Sequence, residues 1–362
     1  MWKVWWIRLL QQLRCAMKRT KPRSDSRAAT PEPAVGGRTE VLPPRRPFWL
    51  SETSVEPPPK GAPRPPGTLP PGYRLLNGEG PEFFDPALRH YRCAFRRAEP
   101  VFDSDEDRRR WLAARQRVID HVLGIVSGSS WRQRLVLRGS ALLRTQLGAA
   151  ARAPGDIDWV VLPAGLPADS PSGREIIDDI ARLVGQRAHV DDITIDVGRP
   201  SIGAIWTYER AEGRRLTFAW SVPGLPPGTV QQDFVYGETL DEPAEETAVA
   251  LGDGSTVELL AATPALSLCW KLLWLGSDSL PQGKDLYDAV LLAEAVRLPP
   301  GMLEQVVTRA MAKADLYPMP LPLEIDEWSV DWRNFRLEYP DVDGELEDWK
   351  RRLAVALARQ SN

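Results

Sequence analysis

Residues 156–162 of the chain read DIDWVVL. The apolar run of this stretch predicts a β-strand, on which successive side chains point to opposite faces. Asp156 and Asp158 therefore share one face, while Ile157 points into the core. Two carboxylates on one face repel each other, and a divalent cation relieves that repulsion. Mg²⁺ is usually held by such oxygens together with substrate phosphates. The alternative is an exposed polar strand end.

The dipeptide Gly139-Ser140 ends a predicted short strand, RLVLR at 134–138, and opens a predicted helix over 140–147. A helix N-terminus presents unpaired backbone N–H groups and a partial positive charge, and phosphates bind there. Glycine lets the backbone come close to a ligand, and the serine hydroxyl can donate a hydrogen bond. The pair is a candidate phosphate-binding element, although a Gly-Ser turn also serves as an ordinary helix cap.

A third acid is expected to complete the site. Asp233 lies in the strand-like run VQQDFVYG at 230–237, and Asp196 lies in ITIDV at 193–197. A third carboxylate on a neighbouring strand would give a two-metal site that clamps the attacking and leaving oxygens. Asp233 is preferred, because it lies on the last strand predicted before a helical half and Gly237-Glu238 follow it. Asp196 remains its competitor.

Lys271 stands inside the very apolar predicted helix LSLCWKLLW, residues 266–274. Burying a lysine without a partner is costly, and a triphosphate would supply one. The alternative is a side chain that extends to the surface. Asp285 and Asp288 follow in KDLYD at 284–288, three residues apart and hence on one helix face.

These pieces in this order resemble the AbiEii/AbiGii-type nucleotidyltransferase toxins, a branch of the polymerase-beta-like nucleotidyltransferase superfamily. The resemblance covers roughly residues 130–315. Its most specific element is WKLLWL at 270–275 followed by KDLYDAVLLAE at 284–294, which is similar to the family segment EKL…(K/R)DxYDL. The sequence departs from the family pattern at Trp270, where an acid usually precedes the lysine, and at Pro154-Gly155.

The resemblance implies a Mg²⁺-dependent transfer of a nucleotidyl group from an NTP to a hydroxyl acceptor, with two metal ions and release of pyrophosphate. It also implies a toxin–antitoxin or phage-defence pair with a cognate antitoxin, and tRNA as one class of acceptor. The implied roles fall on matching positions. Nucleotide and metal binding fall on Gly139, Ser140, Asp156 and Asp158, and a requirement for activity falls on Lys271 and Asp285.

Other functions remain open beside this one. A nucleotidyltransferase fold can lose turnover and serve as a binding or regulatory module, and related enzymes modify small molecules or proteins. Arg138, Arg144 and Arg152 surround the motif and are candidate contacts to RNA phosphates, or else solvated residues of the helix and loops.

Periodicity predicts the remaining elements. Helices are expected at 105–126, 173–185, 264–274, 284–296, 301–314 and 345–359, with Ser104 and Thr263 as N-caps. Strands are expected at 192–197, 202–208, 214–222 and 229–236. The predicted fold class is α+β: a small mixed polymerase-beta-like sheet with flanking helices, followed by a helical C-terminal half.

Composition divides the chain into a basic tail and an acidic body. Residues 1–75 hold 14 Lys/Arg and 5 Asp/Glu, whereas the whole chain carries a net charge of −3. Sixteen of the 34 prolines fall within 22–86, which favours extended, solvated backbone. We therefore expect a disordered tail at 1–82, a nucleotidyltransferase core at 83–260 and a helical region at 261–362 that completes the active site. Residues 1–16 are either a basic amphipathic helix or a product of an upstream start codon.

The cysteine count and the hydropathy pattern limit the protein's location. Three cysteines, far apart in the chain, form neither a disulfide framework nor a zinc site, which favours a reducing compartment. No apolar run approaches the roughly 18 residues of a membrane span. A cytoplasmic protein without integral membrane association is expected.

Overall fold

The computed structural model describes residues 82–84, 95–97, 100, 102–205, 211–278, 281–313 and 325–360. All of them lie within one unit, Pro47–Asn362. The expected tail at 1–82 lies almost wholly outside the described residues.

The strands of the described residues form one large sheet and one hairpin-like pair. In chain order the strands are β1 (Glu82–Phe84), β2 (Phe95–Arg97), β3 (Leu135–Arg138), β4 (Ile157–Val161), β5 (His189–Val190), β6 (Ile193–Ala204), β7 (Glu212–Ser221), β8 (Gly228–Tyr236), β9 (Glu245–Ala250) and β10 (Thr256–Ala261). Strands β1 and β2 pair with each other, and the other eight form a mixed sheet in the order β5-β6-β7-β8-β4-β3-β10-β9. The β4–β8 and β3–β10 pairs are parallel, and the other neighbours are antiparallel.

The α-helices of the described residues flank the sheet and build the C-terminal part. They are α1 (Asp105–Ser127), α2 (Gly139–Leu147), α3 (Pro171–Gln186), α4 (Pro264–Ser277), α5 (Gly283–Ala295), α6 (Met302–Lys313), α7 (Trp332–Glu338) and α8 (Leu346–Gln360). The expected caps are confirmed. Ser104 accepts a hydrogen bond from the Asp107 N–H, and Thr263 accepts one from the Leu266 N–H. Each satisfies a backbone donor that the first turn leaves without an intrahelical partner.

Helix α4 lies between two hydrophobic clusters. Its residues Leu266 and Leu273 pack with the sheet, whereas Leu268 and Leu272 pack with α5, α7 and α8. A helix that is apolar on all sides is stable only when it is covered on all sides. This position explains why its lysine, Lys271, is only 5% exposed.

The predicted α+β class with a helical C-terminal part is confirmed, and several details of the prediction are wrong. The sheet has eight strands and is larger than expected. Five strands were missed: β1, β2, β5, β9 and β10. Because β9 and β10 follow β8, Asp233 does not lie on the last strand before the helices. The runs at 192–197 and 202–208 are one strand, β6, with a register shift between Asp196 and Ser201. Helix α7 was also missed. The part of the second run at 206–208 lies outside the described residues.

Within the described parts of the chain, none of the helices combines the length and the apolar composition that crossing a bilayer requires.

Candidate active site

Four charged side chains form a row across four neighbouring strands. Arg138 on β3 is the register partner of Asp158 on β4, Asp158 is the partner of Asp233 on β8, and Asp233 is the partner of Arg215 on β7. Residues directly opposite each other on adjacent strands place their side chains on the same face. The sheet therefore juxtaposes two acids at its centre and puts one arginine on each flank.

The third acid of the centre is Asp156, which precedes β4. Asp156, Asp158 and Asp233 each offer a carboxylate oxygen, and these oxygens all lie within 4.8 Å of one another. The Ser140 hydroxyl donates to Asp156 Oδ1 at 3.3 Å, which joins the first turn of α2 to the acids. The two predicted pieces, Gly139-Ser140 and the paired acids, are thus adjacent in the structure.

Gly139 is required by geometry at this junction. Its φ of +70° lies in the left-handed region of the backbone, which residues with a Cβ atom rarely adopt. A Cβ there would stand 2.0 Å from Asp158 Oδ2. The glycine lets the start of α2 approach the acids directly.

The three acids differ in their surroundings. Burial alone would raise the pKa of Asp156, but the charges of Lys284, Arg152 and Arg215 and the Ser140 hydrogen bond lower it below 3.8. Burial, followed by repulsion from Asp156 and Asp233, raises the pKa of Asp158 to about 7. Asp158 therefore keeps its proton near neutral pH unless a bound cation stabilises the carboxylate.

This raised pKa predicts a pH-dependent response to Mg²⁺. An unfolded chain loses the Asp158 proton near its ordinary value of 3.8, but the folded chain keeps it to about 7. The folded state thus binds more protons between these values, and the contribution of Asp158 to stability falls as pH rises through this window. Because Mg²⁺ needs the carboxylate, the rise in Tm on adding Mg²⁺ should be larger at about pH 8 than at about pH 6. Thermal melting with and without Mg²⁺ at both pH values measures this. Equal rises in Tm at the two pH values would contradict the expectation. So would an Asp158→Asn variant whose rise in Tm still differs between the two pH values as it does in the wild type.

Both arginines of the row are already bonded. Arg215 donates from Nε to Asp233 Oδ1 at 2.7 Å and from Nη2 to Asp233 Oδ2 at 2.6 Å. Arg138 donates to Glu238 at 3.0 Å, with its guanidinium near the rings of Trp270 and Trp274. Trp270, which replaces the acid that the family pattern has before the lysine, therefore contacts an arginine of the row.

Lys271 lies in a buried ion network. Its Nζ is 2.7 Å from Asp285 Oδ1 and 2.9 Å from Asp288 Oδ2. Asp288 also accepts two hydrogen bonds from Arg152, each 3.0 Å long, and Arg152 donates to the Tyr339 hydroxyl. Burial would lower the pKa of Lys271, but the charges of Asp285 and Asp288 raise it. The lysine does not extend to the surface, and Asp285 and Asp288 do share one helix face, as their spacing predicts.

The structure separates the predicted residues into two groups. Gly139, Ser140, Asp156, Asp158 and Asp233 come together around the carboxylate cluster. Lys271 and Asp285 belong to the ion network, which Arg152 connects electrostatically to Asp156. The competing acid Asp196 is exposed on β6, where it accepts a hydrogen bond from the Gly198 N–H.

Two of the three arginines that are candidate contacts to RNA phosphates are too buried to reach an RNA molecule. The side chains of Arg138 and Arg152 are each 7% exposed and ion-paired to Glu238 and Asp288. The expectation that they contact RNA phosphates is therefore wrong, because the same charges are used inside the fold. Arg144 is half-buried and lies near Asp120.

Sequence reasoning missed two cations. Arg215 gave no signal, because the register that places it opposite Asp233 depends on how β7 and β8 pair. Lys284, half-buried at the start of α5, acts electrostatically on both Asp156 and Asp158. Its signal was available, since it is the first residue of the KDLYD segment.

The donor set fits a magnesium ion. Three carboxylates supply hard oxygen ligands in a small volume, which is the donor chemistry that Mg²⁺ prefers. Such a site next to a helix N-terminus suits the class of proteins that bind nucleotides through their phosphates and a metal ion.

Comparison with known proteins supports this class. The family model described as "Nucleotidyl transferase AbiEii toxin, Type IV TA system" matches residues 122–355. The chain belongs to this family of nucleotidyltransferase toxins, and a type IV TA toxin implies an antitoxin partner. A search of curated proteins finds no match.

Proposed function

We propose that this protein transfers a nucleotidyl group from an NTP to a hydroxyl of an RNA acceptor such as tRNA. The observation that carries the proposal is the carboxylate cluster of Asp156, Asp158 and Asp233 at the N-terminus of α2. Membership of the AbiEii family supports it.

The reaction exchanges one P–O bond for another and releases the proton of the acceptor hydroxyl. The acceptor oxygen attacks the α-phosphorus, the bond from that phosphorus to the α–β bridging oxygen breaks, and pyrophosphate leaves with the electron pair, while the hydroxyl proton passes to solvent. When bound by Asp156, Asp158 and Asp233, Mg²⁺ supplies positive charge for the phosphates and promotes loss of the hydroxyl proton.

The chain's own residues bind and orient the substrates. Asp156 and Asp158 form the end of the cluster beside α2, where the backbone N–H groups of the first turn face bound phosphates. Lys284, close enough to influence both acids, helps to neutralise the charge that builds on the leaving group. Asp233 stands on the acceptor side. We retain Lys271 and Asp285 as residues required for activity. For Lys271 to contact the triphosphate as predicted, its ion pairs with Asp285 and Asp288 would have to break. If Lys271 instead acts by stabilising the fold around the site, these ion pairs remain.

A second candidate function is a binding module without turnover. The observation that favours it is the Arg215–Asp233 ion pair, which already uses both oxygens of the third acid. Binding of an NTP without transfer would favour this candidate.

The proposal is tested by following α-³²P label from each of the four NTPs into total RNA and total protein in the presence of Mg²⁺. We expect label from one or more NTPs in a tRNA-sized band, with no label when EDTA replaces Mg²⁺. Label in protein or in a small molecule would contradict the RNA acceptor but keep the enzyme class. Mg²⁺-NTP stabilisation of the fold without labelling of any acceptor would support the binding module.

A further inference from the structure

The Arg215–Asp233 pair is buried on both sides. Arg215 is 5% exposed and Asp233 is 2% exposed. Two nitrogens of the guanidinium face the two oxygens of the carboxylate, an arrangement that is both strong and directional. Asp233 thus already has a full positive charge opposite its negative one.

In the described part of the chain, neither of the other two acids of the cluster forms a buried ion pair with two hydrogen bonds of this kind. Asp156 accepts a hydrogen bond from Ser140, a neutral donor. Asp158 is flanked by Arg138, whose ion pair is with Glu238. Both acids are also less buried than Asp233. Within the described residues, Asp156 and Asp158 are therefore the acids of the cluster whose carboxylate oxygens are not both taken up by a guanidinium.

Arg215 has an alternative acceptor close by. Gln231 and Asp233 lie two residues apart on β8 and so share a face. With its amide oxygen turned toward Arg215, Gln231 accepts from Nε at 3.3 Å and from Nη2 at 3.1 Å, the two nitrogens that also donate to Asp233. Gln231 is therefore a second acceptor for the same guanidinium, beside the carboxylate and on the same strand.

We propose that Arg215 is a built-in counter-ion that keeps Asp233 from a divalent cation in the nucleotide-free protein. This inference rests on the proposed function, since it requires that the cluster binds metal. The nucleotide-free protein then binds a single ion at Asp156 and Asp158. A second ion, which needs Asp233, binds only after Arg215 turns to another acceptor, because a cation and a guanidinium on one carboxylate repel each other. Arg215 is thus a positioning residue that acts through Asp233.

The test counts Mn²⁺ ions on the full-length protein without nucleotide, by calorimetric titration and by the loss of the free-Mn²⁺ paramagnetic resonance signal. We expect one ion on the wild type and two on Arg215→Gln, with the second site at least about tenfold tighter in the variant than in the wild type. Arg215→Lys keeps a positive charge and should restore binding of a single ion. The matched control is Arg214→Gln, which removes the neighbouring arginine from a partner, Asp169, that is 75% exposed. It should bind Mn²⁺ like the wild type.

Two further results keep the inference open to refutation if Arg215→Gln does not fold. The double variant Arg215→Gln/Asp233→Asn, which removes the pair as a whole, should bind a single ion, because the second ion needs the Asp233 carboxylate. Two ions on this variant, or two ions on the nucleotide-free wild type, would overturn the inference while leaving the proposed function intact. A wild type that binds no Mn²⁺ would overturn both.

Discussion

Asp158→Ala is expected to fold like the wild type and to lose Mg²⁺-dependent nucleotidyl transfer by about 10³-fold or more. A metal ion supplies several kcal/mol of transition-state stabilisation, and about 1.4 kcal/mol corresponds to a factor of ten. The fold should survive, because the pKa of Asp158 is raised to about 7 and its charged form therefore weakens the folded state. Initial rates of label transfer and the Tm of the metal-free protein measure the two effects.

The control for this variant is Asp196→Ala. Asp196 is an aspartate on the same sheet, exposed and outside the carboxylate cluster. Its removal should leave the transfer rate within about twofold of the wild type, the range of a surface substitution. Full activity of Asp158→Ala would show that the carboxylate cluster is not where the reaction occurs.

Asp288→Ala should lower the free energy of unfolding by about 3–5 kcal/mol, the range for breaking a buried ion pair from one side. The side chain of Asp288 is 2% exposed, and it contacts both Lys271 and Arg152, whose side chains are 6% and 7% exposed. Its loss removes the ion pair of Arg152 and leaves Lys271 with a single carboxylate partner, Asp285. Urea unfolding monitored by tryptophan fluorescence would measure this loss, with the slope of the transition checked for two-state behaviour.

Glu294→Ala is the matched control on the same helix. Glu294 also accepts two hydrogen bonds from one arginine, Arg352, at 3.0 and 2.8 Å. Those side chains are 38% and 43% exposed, so the pair is screened by water and is worth about 1 kcal/mol or less. Equal losses in the two variants would show that the network around Asp288 does not stabilise the fold.

The sequence predicts best where one local pattern decides the structure. The α1 helix, its Ser104 cap and the strand of the paired acids follow from spacing and side-chain type, and the structure has them within one or two residues. The α+β class and the AbiEii family follow from the order of the motifs. Strands β9 and β10 were missed because they are short and carry a mixed pattern of polar and apolar residues, EETAVA and TVELLA.

The acidic residues of the candidate site were predicted from the sequence, but the cations Arg215 and Lys284 were missed. A carboxylate pair on an apolar strand is visible locally, whereas Arg215 is one of 46 Lys/Arg residues until the β7–β8 register places it opposite Asp233. The same limit explains the arginines considered for RNA. Arg138 and Arg152 look solvent-exposed in a linear sequence, and only tertiary contacts show that Glu238 and Asp288 hold them.

The order of the strands also bears on how the protein is made. Strand β3, which leads into Gly139-Ser140, has β10 as its parallel neighbour, and β10 is more than a hundred residues later in the chain. Lys284 follows β10. A nascent chain on the ribosome thus lacks a flank of β3 until Ala261 has been added. For a toxin, this delays the appearance of an organised centre until more than a hundred residues have been made after Gly139-Ser140.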